Sequence, residues 1–86
     1  MTTQRVVVTG AAQGIGRAIA ERFAGSGAHL HICDLAADAL AEMLAANPRM
    51  RGTTADVGEP SSVERLFAEA FGWMGGVDVL VNNCGI

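Results

Sequence analysis

Two residue types are missing from this 86-residue chain: it has no tyrosine, and all six of its basic residues are arginines, so it has no lysine. Chemistry that needs a side-chain phenol or primary amine therefore lies outside what these residues can do. Cysteine is nearly as scarce. Cys33 and Cys84 stand 51 positions apart, a spacing that fits neither a metal site nor a disulfide framework, and both read as small residues for burial. No apolar run approaches the roughly eighteen residues that a bilayer span requires. The start, Met1-Thr2-Thr3-Gln4-Arg5, lacks the apolar region and cleavage site of a signal peptide, which makes the cytoplasm the default expectation. Positive charge is not in excess. A formal net charge of −3 gives no reason to expect nucleic acid or an anionic membrane as partner. With 50% apolar and 17% charged residues, the composition is that of one small globular unit.

What is present is concentrated near the start. Val6-Val7-Val8-Thr9 is a continuous run of the kind found in a strand covered on both faces. Gly10-Ala11-Ala12-Gln13-Gly14-Ile15-Gly16 follows, and from Ile15 the apolar spacing becomes helical. A strand that turns tightly through glycines into a helix presents unpaired backbone N–H groups and positive dipole charge, and the glycines let a pyrophosphate approach the backbone. Taken alone, the same glycines also suit an ordinary strand-to-helix turn.

Further along, the spacing predicts a helix over 15–24, with Ile15, Ala18, Ile19 and Phe23 on one face and Gly25-Ser26-Gly27 as its stop. A strand over 28–33 follows, in which His29 and His31 alternate with Leu30 and Ile32 and suggest a less protected face near that edge of the sheet. With no third ligand nearby, those histidines read as structural or solvent-facing, and no metal site is expected. A second helix spans about 36–46 and is stopped by Asn47-Pro48. A short strand over 51–55 comes next. The third helix begins near Pro60, where Ser61-Ser62-Val63-Glu64 carries a capping-box pattern. It continues through Val63, Leu66, Phe67, Ala70, Phe71 and Met74 to Gly75-Gly76, and a last strand is expected over 77–81. The order β-α-β-α-β-α-β implies a parallel sheet with right-handed crossovers. If the first three strands step one way and the fourth returns beside the first, the strand order is 3-2-1-4. The first two helices then cover one face and the third covers the other.

The switch point of such a sheet lies between the first and fourth strands, where open α/β sheets bind ligands. Four features meet at the strand ends: the glycine turn, Asp34, Asp56-Val57 and Asn82-Asn83-Cys84-Gly85. Asp34 stands where a carboxylate accepts both hydroxyls of an adenosine ribose and repels a 2′-phosphate. Asp56-Val57 suits an adenine edge. Singly, the aspartates are also helix caps and Asn82-Asn83 a turn.

Thr9-Gly10-Ala11-Ala12-Gln13-Gly14-Ile15-Gly16 fits a TGxxxGxG turn, and Asn82-Asn83-Cys84-Gly85 is one residue from NNAG. On these motifs, together with Asp56-Val57, the whole chain resembles the N-terminal part of a short-chain dehydrogenase/reductase. The resemblance implies a Rossmann-type doubly wound sheet, with residues 1–86 as its dinucleotide-binding portion. It implies cofactor contacts from Gly10, Ala12, Gln13, Gly14, Ile15, Gly16, Asp34, Leu35, Asp56, Val57, Asn83 and Gly85. Cys84 departs from the usual alanine and would bring a thiol beside the cofactor. Relatives that prefer NADP place a basic residue before the second glycine or after the second strand. Gln13 and Leu35 occupy those positions, so NAD is expected over NADP.

The activity implied is hydride transfer between the nicotinamide and an alcohol or carbonyl substrate, in a homo-oligomer such as a tetramer. The family carries that step on a Ser, a Tyr-x-x-x-Lys pair and a further Asn, all beyond the NNAG position, so no catalytic residue is expected here. Together with the unpaired apolar edge Val77-Asp78-Val79-Leu80-Val81, this suggests an N-terminal piece of a longer enzyme. A non-catalytic NAD-binding module and an inactive fragment remain the alternatives.

Overall fold

The computed structural model describes residues 3–83. At its centre is β1 (Arg5–Thr9), whose Val6, Val7 and Val8 are wholly buried. Withdrawing each valine from water contributes about 2 kcal/mol relative to leaving it exposed. Parallel ladders join β1 to β2 (His29–Asp34) and to β4 (Val79–Asn82), and join β2 to β3 (Arg51–Thr54). The strand order is β3-β2-β1-β4, the order expected if the fourth strand returns beside the first.

Strand alternation divides the apolar side chains between two layers. Val6, Val8, Leu30 and Ile32 pack with Ala20 of α1 (Gly14–Gly25) and with Leu40 and Met43 of α2 (Ala37–Ala46). Val7 and Cys33 face the other way, onto Leu66, Ala70 and Met74 of α3 (Pro60–Met74). Helices on both faces of one parallel sheet are the doubly wound architecture. Cys33 is buried as expected, with its thiol donating to the Ala55 carbonyl at 3.6 Å; Cys84 and Gly85 lie outside the described residues.

The structure corrects three local expectations. The capping box at Ser61-Ser62 does not form, because Glu59 is the N-cap and makes no side-chain bond. Asp56 organises that entry instead: its Oδ1 accepts the Gly58 amide at 2.8 Å and its carbonyl accepts the Glu59 amide at 3.0 Å. The last strand starts at Val79 rather than Val77. Its neighbour Asp78 takes the Arg5 amide with its carboxylate at 2.8 Å, so the regular ladder begins one residue later. The stop of α1 is as expected at Gly25-Ser26-Gly27: Ser26 closes the helix through its hydroxyl on the Phe23 carbonyl, and Gly27 takes the left-handed backbone, φ 88°.

The third correction concerns the histidines. β2 lies inside the sheet, and His31 is 2% exposed, not on a poorly protected face. His29, at the strand's start, is exposed. Among the described residues no group of three possible metal ligands comes together.

Candidate cofactor site

The crevice at the C-terminal ends of the strands is built outward from the turn between β1 and α1. Gly10 and Gly14 both adopt left-handed backbone, φ 61° and 59°, a region L side chains enter at a cost. Gly16 is needed for a different reason. A Cβ there would stand 2.0 Å from the Gly10 carbonyl oxygen and 2.6 Å from Asn83 Nδ2, so only glycine lets α1 pack this closely on the turn. The helix then begins without a side-chain cap: Gln13 makes no capping bond, and the first turn carries no acidic residue. Gln13, Gly14 and Ile15 are exposed, Ile15 by 74%. An uncapped helix start facing outward keeps its first amides and its positive dipole end available to an anion.

Neighbouring strand ends are tied to this turn. The Ala11 amide donates to the Cys33 carbonyl at 3.1 Å. The Asp34 carboxylate reaches in two directions, accepting the Ala12 amide on Oδ2 at 3.0 Å and the Ala36 amide on Oδ1 at 2.9 Å. Asp34 therefore holds the turn and the entry to α2 in fixed relation. A carboxylate offers about four acceptor positions, so two remain after these bonds. The Ala12 amide, by contrast, is spent on Asp34, and its side chain is buried. Leu35 is 67% exposed beside Asp34.

On the other wall, Asn83 closes the crevice. Its amide donates to Thr9 Oγ1 at 3.0 Å, and its side-chain Nδ2 donates to the Gly10 carbonyl at 3.1 Å. The Thr9 hydroxyl in turn donates to Asn82 Oδ1 at 3.1 Å. In the sequence Thr9 reads as the end of the strand and the first residue of the TGxxxGxG turn, with no hydrogen-bonding role assigned to it. As a buried hydroxyl at the end of an apolar strand it required a partner, and that requirement was the available signal. Asp56-Val57 sits one strand farther out, linked through the Ala55 amide on the Asp34 carbonyl at 3.2 Å. The structure thus gathers Gly10–Gly16, Asp34 and Asn83 into one hydrogen-bonded unit, with Asp56 and Val57 at its margin. Beside it opens an apolar recess of about 240 Å³ between α3 and β4, lined by Thr9, Val57, Phe67 and Leu80 among others.

The arrangement matches proteins already known. A family model described as short chain dehydrogenase matches residues 4–86. The chain is 44% identical to the 1-deoxy-11-beta-hydroxypentalenate dehydrogenase of Streptomyces arenae, over 98% of this chain and 31% of that protein. Among solved structures, a short-chain dehydrogenase from Streptomyces avermitilis superposes with a TM-score of 0.88 at 35% identity, covering 98% of this chain and 31% of that one. A short chain dehydrogenase/reductase from Burkholderia phymatum, in complex with NAD, gives a TM-score of 0.85 at 34% identity, over 91% of this chain and 29% of that one. The chain therefore spans about a third of the length of the relatives it matches.

Proposed function

The chain belongs to the short chain dehydrogenase family, and from that premise we propose that its crevice holds NAD for an oxidoreductase acting on an alcohol or carbonyl substrate. The observation that carries this reading is the uncapped start of α1, exposed behind a glycine turn that packs too tightly for any side chain at Gly16. The residues fit the group. The amides near Gly14 and Ile15 are suited to the pyrophosphate. The two remaining acceptor positions of Asp34 match the two hydroxyls of an adenosine ribose, and its charge opposes a 2′-phosphate. No basic residue stands at Gln13 or Leu35 to attract such a phosphate. Asp56 and Val57 are assigned to the adenine side and Asn83 to the nicotinamide ribose side. When bound, NAD supplies the hydride chemistry; these residues bind and orient it. With no tyrosine or lysine among them, the proton transfer is proposed for the full-length protein. The family resemblance extends the proposal to a homo-oligomer, and the cytoplasm is proposed as its location.

Calorimetric titration of the full-length protein with NAD and NADP tests the reading. The wild type is expected to favour NAD. Asp34→Ala combined with Leu35→Arg is expected to raise NADP affinity by about tenfold or more, the effect of one charge-assisted phosphate contact plus one removed repulsion. Leu35→Arg alone leaves both Asp34 hydrogen bonds in place and is expected to move in the same direction. Unchanged affinities in both variants would show that Asp34 does not face the ribose.

A further inference from the structure

One cavity of the described structure lies well away from the crevice. It lies at the opposite end of the sheet, beneath the N-terminal ends of β2 and β3, with a volume of about 440 Å³. Its lining includes Arg49, Arg51, His29, Met50, Leu30 and Trp73, and no carboxylate. In a chain whose acidic residues outnumber its basic ones nine to six, that is an uneven distribution of charge. Arg5 and Arg17 are paired with Asp78 and Glu21, and Arg65 donates to the Thr54 carbonyl at 2.7 Å. Neither cavity arginine has an ion-pair partner among the described residues.

Arg51 is also held in a useful posture. The Arg51 guanidinium lies over the Trp73 ring, 4.9 Å from its centroid. A guanidinium stacked on its face keeps its N–H edge free for a planar, two-point grip on an oxyanion. The indole beneath it is fixed from behind, since Trp73 Nε1 donates to His31 Nδ1 at 2.8 Å. The His29 ring lies beside the same indole, centroids 5.7 Å apart. Two unpaired guanidiniums, one of them stacked on an anchored indole, around a cavity of ligand-binding size form a cationic recess with a rigid apolar wall.

We propose that this cavity is a second binding site, taking the phosphate group of a small metabolite between Arg49 and Arg51, with Trp73 as its wall. Two guanidiniums and no carboxylate balance a phosphate dianion, whereas a monocarboxylate would leave one positive charge uncompensated. The site is at the other end of the strands from the glycine turn and does not depend on the reading of that turn.

The test reads the site locally. In the full-length protein, the indole N–H resonance of Trp73 is identified as the one lost in Trp73→Phe, and the Arg49 and Arg51 side-chain resonances are followed with it. Inorganic phosphate is the probe and acetate the comparison. Phosphate is expected to shift these resonances saturably, with a Kd below about 1 mM, and acetate to bind about tenfold more weakly or less. Arg49→Gln combined with Arg51→Gln, both surface substitutions, is expected to abolish the shifts. Arg51→Lys keeps the charge but loses the two-point grip and is expected to weaken binding severalfold. Absence of saturable shifts in the wild type, equal binding of acetate, or undiminished binding in the double variant would overturn the proposal.

Discussion

His31 is a buried titratable group whose hydrogen-bond polarity leaves no freedom, and acidification is expected to break it. The Trp73 indole nitrogen can only donate, so His31 Nδ1, 2.8 Å away, must accept. Nε2 therefore carries the hydrogen and donates to Thr53 Oγ1 at 2.8 Å, and the Thr53 hydroxyl passes its own hydrogen to the Glu69 carboxylate. A proton added to His31 lands on Nδ1 and faces the indole N–H. Burial lowers the His31 pKa below 6.5; the charge of Glu69 on α3 opposes this, and that of Arg51 on β3 adds to it. The exposed His29 shares that face of β2, and Cys33 lies farther along it. Below pH 6.5 the unfolded chain takes up this proton before the folded one does, so the unfolded state is favoured. Stability from this group is whole above pH 6.5 and declines as the pH falls from there toward the lowered folded value. One proton limits the slope to about 1.4 kcal/mol per pH unit, against a typical total of about 5–15 kcal/mol. Denaturant unfolding of the full-length protein across this range, with the His31 ring resonances followed by NMR, measures it. Trp73→Phe removes the donor and is expected to cost about 1–3 kcal/mol near neutrality, to raise the His31 pKa and to flatten the slope. A folded-state His31 titrating at or above 6.5, or a Trp73 indole resonance indifferent to that titration, would refute the argument.

Gly16→Ala would place a methyl 2.0 Å from a backbone oxygen that cannot rotate away, so a loss at or above the usual overpacking cost of about 1–3 kcal/mol is expected in thermal unfolding. Gly25→Ala, with nothing within 4 Å of the added carbon, is the matched control and is expected to be neutral or stabilising. Asp78 binds the amide and guanidinium of Arg5, whose side-chain hydrogen bond is the main cause that draws its pKa from 3.8 down to about 2. Its contribution is present above pH 3.8 and is lost as the pH falls from there toward about 2. Acid unfolding followed by circular dichroism should show this dependence in the wild type and not in Asp78→Asn, and about 1 M salt should weaken it because the pair is exposed.

The parts of the fold legible in the sequence are those that depend on neighbours along the chain. The run Val6-Val7-Val8 marks a strand buried on both faces, and the spacing of Leu66, Ala70 and Met74 marks the buried stripe of α3, because both periods are properties of the local backbone. The strand order followed from element alternation given a fourth strand that returns beside the first, and it brought the glycine turn, Asp34 and Asn83 to one end of the sheet before any side chain was placed. Polar residues were harder to read. His31 alternates with Leu30 and Ile32, which tells which face it takes but not what covers that face. Its burial is decided by Thr53, 22 positions away, and by Trp73, 42 positions away. Asp78 shortens β4 through Arg5, 73 positions distant, and Asp34 spends one acceptor position on the glycine turn and one on the entry to α2. An apolar residue is satisfied by any apolar neighbour, so its fate follows from pattern; a buried polar atom is satisfied only by a specific partner with the right donor or acceptor. In this chain that partner usually comes from another strand or helix, so the hydrogen bonds that hold the crevice and the Trp73 wall appear only once the sheet is assembled.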